Sequence, residues 1–166
     1  MASRIEHRTE FAHGVSDVYA AQAGEDALRA RLADIGGHNS ALLEYTPNAD
    51  GVRFHLRQGV GAEKLPSVVR SLHPGDLFVE RHEIWQIAGE SYTGLAEATV
   101  SGIPGEITAR TELRAEDGKT VLRTTGEVKI RIPLVGGKLE GFVASEITKL
   151  LKREAEYSAQ WLDGHR

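Results

Sequence analysis

Three short turn signals divide residues 77–132 into four stretches in which apolar and polar residues alternate. Alternation with a period of two is typical of half-buried strands, and short turns join neighbouring strands as antiparallel hairpins. The pattern therefore predicts an antiparallel meander, which restricts the chain to folds built on such a sheet. The turn signals are Gly89-Glu90, Pro104-Gly105 and Asp117-Gly118, and the predicted strands are residues 77–87, 92–103, 106–115 and 120–132.

A long amphipathic helix is predicted after the meander, from Gly136-Gly137 to Leu162. Its apolar positions recur at helical spacing: Leu139, Phe142, Val143, Ile147, Leu150, Leu151, Tyr157 and Trp161. Before the meander, the same reasoning predicts a first strand, two short helices separated near Gly24, two further strands and a connector with one or two helical turns. These elements cover residues 3–11, 15–32, 40–45, 52–60 and 62–74, the helical turns lying at 66–72. Together, these strands and helices predict an α+β fold.

The composition fits one ordinary folded domain spanning residues 1–166. The net charge is −4 and Lys and Arg form no cluster, so nucleic acid is not expected as a partner. The chain has no cysteine, which favours a reducing compartment. It contains neither an apolar secretion signal nor a run of ~18 uncharged residues, so we expect a cytoplasmic protein without a membrane span.

Hairpin register predicts which residues share the inner face of the sheet, because directly opposed residues lie on one face. The Asp117-Gly118 turn sets Leu113 against Leu122, Thr111 against Thr124 and Ala109 against Gly126. Continuing through Pro104-Gly105 sets Ala109 against Ala98, Thr111 against Ala96 and Leu113 against Gly94. The central inner face is thus made of small residues, which leave room beneath the helix. Either a ligand occupies that room or the helix packs closer to the sheet.

The turn around residues 47–51 extends the same reasoning to the earlier strands. It sets Tyr45 against Val52 and Leu43 against Phe54, which places these four residues on the apolar face.

The strand at 77–87 breaks the apolar pattern. Its predicted register turns Arg81 and Glu83 inward, where they would give an apolar pocket a polar end together with His7, Thr9 and the two threonines Thr111 and Thr124. Buried charges are rare unless paired, so a bulge or longer turn that sends both residues to solvent, and turns Phe78 and Ile84 inward, is an equal alternative. The candidate ligand-binding residues are His7, Thr9, Phe11, Tyr45, Phe54, Leu56, Arg81, Glu83, Trp85, Tyr92, Ala96, Thr111, Phe142, Ile147 and Leu151.

Motifs for other chemistries are missing from the sequence. No G-x-S-x-G elbow occurs, and His82-Glu83 lacks the second histidine of a helical zinc motif. The glycine pairs are too short to cradle phosphate. We therefore expect no catalytic set, no metal site and no cofactor.

Three segments carry a resemblance to a known superfamily: residues 29–38 (RARLADIGGH), 62–76 (AEKLPSVVRSLHPGD) and 132–140 (IPLVGGKLE). With the element order, they resemble the START-like helix-grip (SRPBCC or Bet v 1-like) superfamily, and within it an actinobacterial family of unassigned function. The superfamily includes the birch-pollen allergen fold, lipid-transfer domains and polyketide aromatase/cyclases. The resemblance implies a curved seven-stranded sheet that grips the last helix, with a hydrophobic cavity between them that opens near the short helices.

The expected function is that of a carrier or sensor, which binds a hydrophobic or amphipathic small molecule such as a lipid, isoprenoid or polyketide. A cyclase that uses Glu83 or His7 for acid/base chemistry in the same cavity is the first alternative. A protein-interaction module is the second, and large exposed apolar residues would be its sign. We expect no large exposed apolar residues outside the core.

Overall fold

The structure is a computed structural model, and it describes residues 3–60, 67–72 and 75–164. It confirms the α+β prediction of one sheet, two short helices after the first strand and a long last helix. The elements in chain order are β1 (Ser3–Phe11), α1 (Val15–Ala23), α2 (Glu25–Ile35), β2 (Ala41–Asn48), β3 (Gly51–Val60), α3 (Ser67–Leu72), β4 (Leu77–Ala88), β5 (Ser91–Val100), β6 (Ile103–Glu116), β7 (Lys119–Ile130) and α4 (Gly136–Gly164).

The seven strands form one antiparallel sheet in the order β1-β7-β6-β5-β4-β3-β2. The sheet curves around α4, which packs against β1, β7 and α1. This is the helix-grip arrangement that the resemblance implied. Residues 61–66, 73 and 74 lie outside the described part of the chain, and with them most of the predicted connector and of the motif at 62–76.

Two of the three meander turns lie where the sequence predicts them. Asp117 and Gly118 have φ angles of 52° and 78°, which is the left-handed backbone that a type I′ hairpin turn requires. This turn sets Leu113 against Leu122, as predicted. The turn at Gly89-Glu90 is also confirmed, because Ala88 and Ser91 form the last pair of β4 and β5.

The prediction of a turn at Pro104-Gly105 is wrong. The chain turns three residues earlier, between Val100 and Ile103, where Gly102 has a φ angle of 75°. With a register irregularity between Ala98 and Val100, this sets Ala109 against Ala96 rather than Ala98, and the other two predicted pairs are likewise displaced by two residues. Since side chains alternate with a period of two, this displacement leaves the same residues on the inner face.

The register of β2 and β3 also differs from the prediction by two residues. The strands continue to Asn48 and Gly51, so Tyr45 faces Phe54, and Pro47 rather than Tyr45 faces Val52. Leu43 lies at a β-bulge, where it is 44% exposed instead of joining the apolar face. The bulge changes the direction of the strand locally, which alternation alone does not reveal.

Apolar residues on the outer face of the sheet are exposed within the part of the chain that the structure describes. Ile84 and Leu95 are direct neighbours on β4 and β5, and they are 44% and 51% exposed. The expectation that large apolar residues would be exposed nowhere outside the core is therefore wrong. Leu134, in the loop before α4, is fully exposed as well.

Candidate functional site

A cavity of about 290 Å³ lies between α4 and the inner face of the sheet. Its floor consists of small side chains from β5 and β6, including Ala96, Ala98 and Ala109, while α4 contributes larger apolar side chains. The floor is low because a methyl group reaches only a short way from the sheet. The residues that line the cavity are Ile5, Ile35, Gly36, Gly37, Gln58, Gly59, Val60, Leu77, Val79, Arg81, Glu83, Ala96, Ala98, Val100, Ile103, Ile107, Ala109, Thr111, Thr124, Phe142, Val143, Glu146, Ile147, Leu150, Leu151 and Arg153.

Seven of the fifteen candidate binding residues line this cavity. They come from three strands and from α4, so the fold brings together positions that are far apart in sequence. The seven are Arg81, Glu83, Ala96, Thr111, Phe142, Ile147 and Leu151.

Six aromatic and apolar candidates lie outside the cavity, in the solid core at the other end of the sheet. Tyr19 from α1 fills the space there: its ring stacks on that of Tyr92 at 4.0 Å between centroids and meets the Trp85 ring edge-on at 6.0 Å. The sequence placed two short helices after β1 but could not show which half of the sheet they cover. The six are Phe11, Tyr45, Phe54, Leu56, Trp85 and Tyr92.

The remaining two candidates, His7 and Thr9, also lie outside the cavity lining. The Thr9 hydroxyl and the His7 Nε2 atom are hydrogen-bonded at 2.9 Å. Burial lowers the pKa of His7, and the carboxylate of Glu154 opposes that shift. At neutral pH the uncharged form of the His7 imidazole is therefore favoured.

Arg81 and Glu83 point inward, which decides between the two alternatives that the sequence left open. The pairs of β4 with β3 and β5 run without a bulge through both residues. The Arg81 Nη2 atom donates to Glu83 Oε2 at 2.6 Å, and Trp85 Nε1 donates to Glu83 Oε1 at 3.0 Å. Both carboxylate oxygens of Glu83 thus accept hydrogen bonds from the protein.

The guanidinium of Arg81 has a second carboxylate partner in Glu154, on α4. Arg81 Nη1 donates to Glu154 Oε2 at 2.8 Å and to Gln58 Oε1 at 3.1 Å. Arg31 from α2 approaches the same Glu154 oxygen, with its Nε atom at 3.8 Å. Two guanidinium and two carboxylate groups therefore meet inside the protein, and their formal charges cancel.

The pKa values in this network are shifted by burial and by the neighbouring charges. Burial favours the neutral form of Glu154, but the guanidinium groups of Arg31 and Arg81 outweigh it and lower its pKa to about 2. Burial also opposes the charge on Arg81, yet the carboxylates of Glu154 and Glu83 raise its pKa. Both side chains therefore keep their charge throughout the physiological pH range.

Sequence reasoning missed Arg31, Gln58 and Glu154, although a signal for Arg31 and for Glu154 was present. Arg31 follows Leu28 by three residues and Ala27 by four, which puts it on the apolar side of α2. Glu154 follows Leu151 by three residues and lies on the apolar stripe of α4 in the same way. A charged residue in an apolar stripe indicates a buried partner, and searching for such positions would have found both.

Within the described part of the chain, the cavity reaches the surface beside the end of α2. Glu146 and Arg153 on α4 both line the cavity and are exposed to solvent. Gly36 and Gly37, which follow α2, also line the cavity, and the Gly36 carbonyl accepts a hydrogen bond from Gly59 N at 2.9 Å. This backbone bond joins the end of α2 to β3 at the opening.

A family model described as "Protein of unknown function (DUF2505)" matches residues 6–162. The chain belongs to this family. Two relatives are 28% identical to it over 173 residues, with 98% of each chain covered. They are the uncharacterized proteins Mb0491c of Mycobacterium bovis and Rv0481c of Mycobacterium tuberculosis. The resemblance to an actinobacterial family of unassigned function is thereby confirmed.

Solved structures show that this DUF2505 member has the START-like fold. Protein TTHA0849 from Thermus thermophilus superposes with a TM-score of 0.67 at 11% identity, covering 98% of this chain and 99% of that one. A START superfamily protein from Mycobacterium smegmatis gives 0.59 at 11%, with coverage of 98% and 99%. The ZhuI aromatase/cyclase from a Streptomyces species gives 0.57 at 17%, with coverage of 99% and 93%.

Among the residues described by the structure, no helix has both the length and the apolar character that crossing a membrane requires.

Proposed function

We propose that the protein is a carrier or sensor that binds a hydrophobic or amphipathic small molecule between α4 and the sheet. The observation that carries this proposal is the cavity of about 290 Å³, with small residues beneath it and apolar helix residues above it. Apolar clefts with a few convergent polar groups are typical of ligand-binding sites, and this volume lies at the lower end of their range.

The energetic cost of unfilled space supports an occupant. Protein interiors are normally close-packed, so apolar side chains that line about 290 Å³ of open space lose packing contacts and hydrophobic burial, at a cost in free energy. A bound apolar molecule would recover much of this free energy.

The polar wall of the cavity favours a ligand that is uncharged where it meets this wall. Arg81 and Glu83 already neutralise each other together with their buried partners, so a charged group placed beside them would stay unpaired in a poorly solvated site. Thr111 and Thr124 also line the cavity, and their hydroxyl groups are hydrogen-bonded to each other at 2.9 Å. A hydroxyl or carbonyl group of a mainly apolar ligand fits this wall.

The hydrogen bonds of Glu83 support binding rather than acid/base catalysis. Both oxygens of Glu83 accept bonds from Arg81 and Trp85, so the carboxylate is held in place as a counter-ion of the buried Arg81 guanidinium. Taking up a proton would leave that buried charge with one carboxylate fewer, which is unfavourable. His7, the other candidate, lies outside the cavity lining.

Native mass spectrometry of the purified protein, followed by organic extraction, tests the proposal. We expect a bound apolar molecule at close to one equivalent, or its uptake from a panel of lipids, isoprenoids and polyketides. Ala96→Trp places an indole in the cavity and should abolish this binding. Thr99→Trp puts the same side chain at an exposed position of β5 and serves as the control.

A wild-type protein that neither carries nor takes up any compound of the panel would contradict the proposal. So would an Ala96→Trp variant that binds as well as Thr99→Trp, provided that circular dichroism shows both variants to be folded.

A further inference from the structure

We propose that the outer face of the sheet, on the side away from the cavity, binds a divalent transition-metal ion of the zinc class through His55, Glu80 and His82. This site goes beyond the proposed small-molecule binding and shares no residue with the cavity lining. The sequence search looked for two histidines at helical spacing, whereas these histidines lie on neighbouring strands.

The register of β3 and β4 brings the three side chains together. His55 lies directly opposite His82, and Glu80 lies two residues before His82 on the same face of β4. One ligand atom from each residue lies within 4.8 Å of the others. The two imidazole rings are stacked with 3.9 Å between centroids, and His55 Nε2 is 3.6 Å from Glu80 Oε2.

Two observations indicate that the donor atoms are not used up by other contacts. The Nε2 atom of His55 is buried and has no hydrogen-bond partner among the described residues. Arg57 is the direct neighbour of Glu80 across the strands, but its Nε atom donates to the Asn39 carbonyl at 3.0 Å and its guanidinium lies over the Phe78 ring. Arg57 therefore does not compete with His55 for the Glu80 carboxylate.

A carboxylate residue flanks each of the two histidines across the strands. Glu44 of β2 lies opposite His55, and Glu97 of β5 lies opposite His82, so a Glu-His-His-Glu row crosses four strands. The β-bulge between Leu42 and Glu44 shifts the register so that Glu44 pairs with His55. Bulges commonly redirect a side chain by such a shift. The carboxylates add negative potential that attracts a cation to the imidazole pair.

The chemistry of the donor set selects the metal. Imidazole nitrogen together with carboxylate oxygen suits Zn²⁺, Ni²⁺ or Cu²⁺, whereas Mg²⁺ prefers oxygen ligands alone. Zinc holds such ligands at about 2.0–2.2 Å, so tetrahedral ligand atoms lie about 3.4 Å apart. The distance between His55 Nε2 and Glu80 Oε2 is already near this value. A rotation of the His82 ring would complete a three-residue site that keeps an open position for water.

Isothermal titration of the full chain with zinc chloride tests the site. We expect one equivalent of Zn²⁺ to bind and Mg²⁺ to give no signal. His55→Asn, His82→Asn and Glu80→Gln should each weaken zinc binding by at least about tenfold, because even outer-shell substitutions at metal sites cost about 10–100-fold. His13→Asn is the matched control, since it removes an imidazole that is paired with a carboxylate, Asp163, elsewhere on the surface.

Thermal unfolding without metal verifies that the variants remain folded. Ala96→Trp should retain wild-type zinc affinity, so loss of the cavity and loss of the metal site can be told apart. The proposal is overturned if the wild-type chain binds no Zn²⁺, or if folded His55→Asn and His82→Asn variants bind it as tightly as His13→Asn does.

Discussion

Replacing Glu154 by glutamine should destabilise the protein by about 3–5 kcal/mol, because it removes one charge from a buried network. Glu154 is only 3% exposed, and its Oε2 atom contacts Arg81, Gln58 and Arg31. The amide leaves two buried guanidinium groups with a single carboxylate, that of Glu83. Such an uncompensated charge is far more costly than a lost hydrogen bond.

The direction of the pKa shift of Glu154 agrees with this expectation. Its pKa falls from 4.5 to about 2 on folding, and each pKa unit corresponds to about 1.4 kcal/mol, so the interaction stabilises the charged form by about 3 kcal/mol. Because the folded pKa is the lower one, this stabilisation is complete above pH ~4.5 and is lost as the pH falls towards 2. The stability difference between wild type and Glu154→Gln should shrink over that interval.

Urea unfolding followed by circular dichroism measures the effect, with the exposed neighbour substitution Glu156→Gln as control. For a chain of this length, 3 kcal/mol corresponds to a decrease in Tm of about 6–12 °C. Adding Arg31→Met to Glu154→Gln restores charge balance and should recover part of the loss. A loss below about 1 kcal/mol at pH 7, or an equal loss at pH 7 and pH 2.5, would refute the reasoning.

Two glycine substitutions should have opposite effects on stability, each measured by urea unfolding. Gly94→Ala should cost about 1–3 kcal/mol, because the new methyl group would lie 2.8 Å from Trp85 Cε2 and force the indole to move; an unchanged midpoint would contradict this packing. Gly141→Ala should stabilise α4 by about 0.5–1 kcal/mol, since the position is exposed and its Cβ would meet no atom within 4 Å. A destabilised Gly141→Ala variant would show that the helix needs glycine there.

The sequence predicted the sheet well where a single local interaction determines the geometry. The Asp117-Gly118 turn has one favourable conformation, so it fixed the register of β6 and β7. The turn between β5 and β6 had two competing signals, Pro104-Gly105 and Gly102, and local preference favoured the wrong one. Each inner residue still lies on its predicted face, because the observed pairing of β5 with β6 differs from the predicted pairing by two residues, an even number.

The candidate site was less predictable, because it depends on how separate elements dock. Alternation along β4 could place Arg81 and Glu83 on one face but could not supply their partners from α2, β3 and α4. The choice between an inward and an outward pair therefore required Glu154, about seventy residues away in the chain. The same limit applies to Trp85 and Tyr92, which lie outside the cavity because Tyr19 of α1 packs against both.

The position of β1 at the edge of the sheet has a consequence for synthesis. Among the described strands, β1 pairs with β7 alone, so β1 cannot join the sheet until residues 119–130 have been made, whereas β2 to β7 can pair in order as they emerge. Pairings between distant segments are slow to form because a long loop must close first. The roof of the cavity is α4, which follows β7 in the chain. The sheet and its roof are therefore complete only after both β7 and α4 have been made, so the cavity takes shape later than the hairpins that form its floor.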